Sequence, residues 1–118
     1  MTDRELLELA ARAADIPGAW NEEFKAFHIA PHLRGLDAEG ARYALNLRHG
    51  LVWCPDRDDG DALRLAAALR IDVEWETEWI VWAGDCGEDS KDDPGNDAAA
   101  ATRRAIVRAA AEIGRGLP

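Results

Sequence analysis

Three histidines, two cysteines and a lone serine carry most of the reactive chemistry this chain offers. His28 and His32 stand four positions apart, the spacing that aligns two imidazoles on a helix for zinc. Pro31 lies between them and interrupts a regular helix. Cys54 or Cys86 completes a ligand set on paper, but no pair has a familiar spacing, so loop histidines are the simpler reading. Asp56, Asp58, Asp59 and Asp61 invite calcium. Their spacing fails the EF-hand pattern, because the loop glycine and the distant glutamate are misplaced. Capping of the following helix explains the cluster with less. The acidic stretch 85–97 lacks a defined ligand order. Ser90 sits in that stretch, where carboxylates oppose a developing negative charge. Cys54 has His49 five residues before it, which is proximity in sequence only. An inert, partly buried thiol is the expectation. There is no glycine-rich phosphate loop. The residues therefore define no catalytic set, no cofactor site and no metal site. A small hydrolase or metal-dependent enzyme built on Cys54, His49 and the aspartates stands as the rival.

A second kind of chemistry is recognition. Residues 71–76 alternate strictly, with Ile71, Val73 and Trp75 on one face and Asp72, Glu74 and Glu76 on the other. The next apolar run, 79–83, follows a connection too short for anything but an antiparallel hairpin. Trp79 and Trp82 have opposite parity, so one of them is expected to face outward beside the carboxylates. Trp75, Trp79, Trp82, Glu74 and Glu76 thus form a candidate protein-contact surface. Core packing of the tryptophans is the blander alternative. Arg103, Arg104, Arg108 and Arg115 concentrate basic charge on the last helix. Arg104 and Arg108 are candidates for contact with an acidic partner, unless the preceding acidic loop holds them.

These groups must be positioned by a handful of elements. Thr2-Asp3-Arg4-Glu5 is a capping box opening a helix over 3–14, ended by Pro17-Gly18. Its apolar stripe is Leu6, Leu9, Ala10 and Ala13, flanked by Leu7 and Ala14, and Glu8 is expected to pair with Arg12. Over 19–50 a short strand at 25–29 or a helical turn at 21–27 competes, and 42–48 reads as a strand with a helix from Asp37 as its rival. Leu51-Val52-Trp53 is a short apolar run that brings Trp53 to the core. Residues 58–70 are the clearest helix, capped by Asp58 or Asp59, with a wide apolar arc of Ala62, Leu63, Leu65, Ala66, Ala67 and Leu69. Residues 84–97 read as an acidic loop. The last helix spans 97–114, with Thr102, Ala105, Ile106, Ala109 and Ile113 buried and Gly114 and Gly116 ending it.

At 118 residues the chain is read as one domain, 1–118. With 47% hydrophobic and 31% charged residues it has the composition of a globular protein. A net charge of −9 argues against direct nucleic-acid binding, since phosphates call for clustered Lys and Arg. It permits a basic partner or mimicry of a nucleic acid. No basic start followed by an apolar run marks a signal peptide, and no stretch is long and apolar enough for a membrane span. The expectation is a cytoplasmic protein with reduced thiols and no membrane partner.

Three blocks carry a resemblance. They are Thr2 to Ala10, then Gly50-Leu51-Val52-Trp53-Cys54-Pro55 with Asp58 to Ala66, and Ala101 to Gly114. Together they resemble the phage ABA sandwich domain, a family of small proteins of tailed phages and prophages. The resemblance implies a layered α/β/α fold and brings no established activity and no catalytic residues. The chain departs from the family pattern at Cys54-Pro55-Asp56-Arg57, where Asn-Pro-Leu and a polar residue are expected, and nothing in 19–48 matches it.

The sequence thus predicts an α+β layered sandwich, with about three helices on a mainly antiparallel sheet of three or four strands. The expected role is a phage or prophage accessory protein that binds a host or phage protein without catalysing a reaction. A host-defence inhibitor, anti-CRISPR-like or mimicking a nucleic acid, is an alternative. A homo-oligomer built on the hairpin is another.

Overall fold

The structure, a computed structural model, describes residues 1–16, 18–22, 25–29 and 52–118. The expected strand at 42–48, together with His32 and His49, lies outside the described residues.

Helix α1 spans Asp3–Ala13. Thr2 caps it, its hydroxyl oxygen accepting the Glu5 N–H at 3.1 Å. The Glu5 carboxylate in turn accepts the Thr2 hydroxyl. The expected Glu8–Arg12 pair does not form. Glu8 pairs with Arg4 at 2.6 Å, and Arg12 donates to the carbonyls of Leu117 and Pro118. The buried stripe is Leu7, Ala10 and Ala11, a rotation from the predicted one.

Strands β1 (Gly18–Asn21), β2 (Ala26–Ile29) and β3 (Val52–Trp53) make an antiparallel sheet in that order. The 25–29 strand alternative is therefore the observed one. Phe27 and Trp53 stand opposite each other in register, 5.5 Å apart in an edge-to-face contact at 70°. Both are buried, as expected for Trp53. Such a contact contributes about 0.5–1.5 kcal/mol beyond area burial.

Helix α2 spans Asp59–Leu69. Asp58 caps it by accepting the Asp61 N–H at 2.8 Å. Ala62, Leu65 and Ala66 are buried against helix α3, residues Ala98–Arg115. The wide arc predicted for α2 is not filled: Leu63 is 69% exposed and Ala67 is exposed, because the helix packs along one side. At its end Arg70 adopts a left-handed conformation, and the Ile71 N–H reaches back to the Ala66 carbonyl at 2.9 Å. This closes the helix as a Schellman turn without glycine.

Strands β4 (Val73–Trp75), β5 (Ile80–Ala83) and β6 (Cys86–Asp89) form a second antiparallel sheet. The predicted hairpin is present. The predicted acidic loop is instead partly strand β6, joined to β5 by the two-residue turn Gly84-Asp85 with Gly84 at φ +57°. A short 3-10 turn, Pro94–Asn96, leads to α3. Asp97 caps α3, accepting the Ala100 N–H at 3.0 Å.

Helix α3 touches α1, α2, β5 and β6, and so is buried around much of its circumference. Three predictions for it need correction. Thr102, expected in the buried stripe, is half-buried, its hydroxyl donating to the Ala98 carbonyl at 2.8 Å. Ile113 is 41% exposed, and Gly114 lies within the helix rather than ending it. A Cβ at Gly114 would sit 1.9 Å from the Leu9 carbonyl oxygen, so this glycine sets the α1–α3 approach. The class is the predicted α+β sandwich, with three helices and antiparallel strands among the described residues. The strands are shared between two sheets rather than gathered in one, with α1 against the first and α3 against the second.

Candidate functional site: the outer face of the second sheet

Register decides which side chains meet on this sheet. Val81 and Ala83 of β5 are fully buried against α3. Their partners across the ladder, Trp75 and Val73, share that inner face. Glu74 pairs with Trp82, and Trp82 pairs with Gly87, so these three share the outer face. Ile80 and Asp89, another pair, join them.

Trp82 is the centre of the outer face. It is 39% exposed, and its indole N–H donates to Glu76 at 2.9 Å. The ring lies over Gly87, where an added Cβ would meet ring carbons at 3.0 Å. Two contacts therefore hold one pose of an exposed aromatic. The sequence expectation of an outward tryptophan beside Glu74 and Glu76 is met by Trp82. Trp79 is half-buried, and its carbonyl accepts the Ser90 N–H and hydroxyl at 2.8 and 3.0 Å. Trp75 has inner parity but is 42% exposed, at the uncovered edge of the sheet.

The surroundings are acidic. Residues 71–90 include Asp72, Glu74, Glu76, Glu78, Asp85, Glu88 and Asp89 and no lysine or arginine. Glu88 is the exception in being neutralised, by Arg104 at 2.7 Å and by Arg108. Arg104 also holds Asp93 at 2.7 Å, and Arg108 donates to the Gly87 carbonyl at 2.9 Å. These two arginines, candidates for partner contact, are thus tied to β6 and the turn after it. Arg103 donates to the Asp56 carbonyl and pairs with Asp59. Among the described residues the other carboxylates of this stretch form no ion pair.

The reactive groups of the sequence do not converge among the described residues. Ser90 is fully buried and bonded to Trp79, a structural placement. Burial raises the Cys54 thiol pKa, and Asp61, Asp56 and Asp58 raise it further. Cys54 is also tied to Asp61, which accepts its backbone N–H at 3.1 Å. Cys86 is raised by burial as well, with Arg108 opposing. Both shifts are opposite to those of an activated nucleophile. Three of the four aspartates are taken up by Asp58's cap, the Asp59–Arg103 pair and the Asp61–Arg64 pair at 2.7 Å, and Asp56 lies 3.6 Å from Arg57. His28 is buried on β2. No group of three His, Cys, Asp or Glu able to hold a metal occurs among the described residues.

A groove of about 960 Å³ opens between the start of α1 and the β4–β6 end, lined by Leu6, Leu69, Ile71, Cys86, Ala109 and Ile113. Among the described residues no helix is long and apolar enough to cross a membrane.

The sequence reasoning missed Gly87, Ile80 and Asp89 as members of the outer face. The signal was available: Gly84-Asp85 between apolar Ala83 and Cys86 is a two-residue hairpin turn. It brings a third strand beside β5 and sets Gly87 against Trp82. Comparison with family models, with curated proteins and with solved structures gives no match, so the likeness to the phage ABA sandwich rests on the three sequence blocks alone.

Proposed function

We propose that the protein is a non-enzymatic binding module whose outer β4–β6 face engages a basic protein surface. Trp82 carries this reading: an exposed indole, held in one pose by Glu76 and Gly87, stands beside Glu74 and Glu76, which form no ion pair among the described residues. A pre-fixed aromatic loses little rotamer freedom on binding and is the residue type that anchors protein interfaces. Carboxylates around it speed the encounter with a basic partner and disfavour acidic ones. The same charge disfavours phosphate backbones. The three-block resemblance supports a phage or prophage accessory role in the host cytoplasm. An inhibitor that offers this face to the nucleic-acid site of a host enzyme is one form of the same reading.

The test is capture from bacterial lysate with the wild type and a Trp82→Ala/Glu74→Gln variant of unchanged circular dichroism and melting temperature. The wild type is expected to retain a protein that high salt releases and the variant does not hold. Identical retention by both proteins rejects the outer face as the contact.

A further inference from the structure

We propose that the edge of β4, unpaired among the described residues, accepts an extended basic segment of a partner protein as an added strand. The inference rests on the binding-module reading and specifies how that partner is held. Gly84 N–H donates to the Asp72 carbonyl at 2.8 Å, and Glu76 N–H donates to the Ile80 carbonyl at 2.9 Å. Alternation in an antiparallel ladder then turns the peptide groups of Glu74 towards β5 and those of Val73 and Trp75 away from it. β4 is the outer strand of its sheet, so these outward groups are open to a further chain among the described residues. The opposite edge differs, because Arg108 occupies the outward Gly87 carbonyl of β6.

The side chains select the occupant. Val73 and Trp75 are each 42% exposed on the inner face, since α3 packs on β5 and β6. An added strand lays its apolar side chains beside these two. Its alternate side chains meet Glu74, flanked by Asp72 and Glu76, and so favour Lys or Arg. A second copy of this chain is a poor occupant, because self-pairing sets Glu74 and its acidic neighbours against the same carboxylates. Strand addition of this kind draws affinity from the main chain and specificity from alternate side chains.

The probe is a short synthetic peptide alternating lysine and valine, compared with the same peptide N-methylated on one edge and with a glutamate-for-lysine peptide. The lysine peptide is expected to slow hydrogen exchange of the Val73 and Trp75 amides at least about tenfold. The N-methylated and glutamate peptides are expected to bind about tenfold more weakly or worse. Val73→Pro removes one outward N–H at an edge position that tolerates proline, and is expected to lose the response while keeping the fold. Equal binding of the N-methylated peptide overturns strand addition and leaves the Trp82 surface as the contact. No protection of the two amides at millimolar peptide also overturns it. A dimer that forms without peptide and protects the same amides transfers the edge to a second copy. Failure of the lysate capture alone, with the peptide response intact, rejects the outer face and spares the edge.

Discussion

Cys54 and Cys86 are the residues whose chemistry the fold suppresses most directly. Each is partly buried, which disfavours the thiolate, and carboxylates near Cys54 add to the effect. The thiolate fraction at neutral pH therefore falls below that of an ordinary thiol. Iodoacetamide is expected to alkylate both cysteines several-fold more slowly in the native protein than in urea. The gap should close as pH rises through the raised values. Mass spectrometry of the modified peptides reads this, and a native rate equal to the unfolded one would contradict the assignment. The linked stability has a definite sign. A thiol whose pKa is raised by folding ionises first in the unfolded chain, so its contribution is complete below the ordinary thiol range and lost above it. Ser90 makes a similar point with geometry, because its hydroxyl is spent on a backbone carbonyl.

At the scale of elements, Gly114 separates what sequence could say from what it could not. Helix starts were legible because capping is local: Thr2, Asp58 and Asp97 each accept the N–H three residues on. The β4–β5 hairpin was legible because its alternation and short connection are local too. Gly114 read as a terminator, since a glycine near a helix end is usually one. Its actual constraint, the Leu9 backbone, is more than a hundred residues away in sequence. The same non-locality hid β6, an acidic segment of poor strand propensity that Arg104 and Arg108 fasten from another element. The site was half legible: parity set one of Trp79 and Trp82 outward beside Glu74 without choosing between them, and it did not show the glycine on which the indole rests. Gly114→Ala is expected to destabilise by about 2 kcal/mol or more, because a carbonyl at 1.9 Å has no rotamer to escape to. Gly116→Ala, whose nearest neighbour is the Ile113 carbonyl oxygen at 3.6 Å, should change stability by less than about 0.5 kcal/mol. Chemical denaturation of the two variants decides the point.

For the molecule as a whole, the helix contacts of the core among the described residues rest largely on small side chains brought close. Ala10, Ala101, Ala105 and Ala110 are completely buried, and Leu65 is the largest almost fully buried side chain among the described residues. Cohesion then depends on near contact of backbones, which an excess of one charge opposes. At −9 the chain repels itself, most strongly along residues 71–90. Moderate sodium chloride is therefore expected to raise the melting temperature by a few degrees, about 2–5 °C, through screening. The same salt should weaken the lysine–valine peptide. Opposite responses of fold and complex to one variable, read by calorimetry and titration, are the signature of a surface whose charge serves recognition at a cost in stability. Parallel responses would mean that the carboxylates contribute nothing to binding.

Gly87 has no side chain to contribute, yet it governs where the indole of Trp82 can lie. Replacing it with alanine leaves the tryptophan in the sequence and lifts its ring from the sheet. The orientation of the aromatic is thus encoded one strand away from the aromatic itself. Anyone retuning this surface would edit position 87 before position 82, and would follow the change in the emission of the ring it displaces.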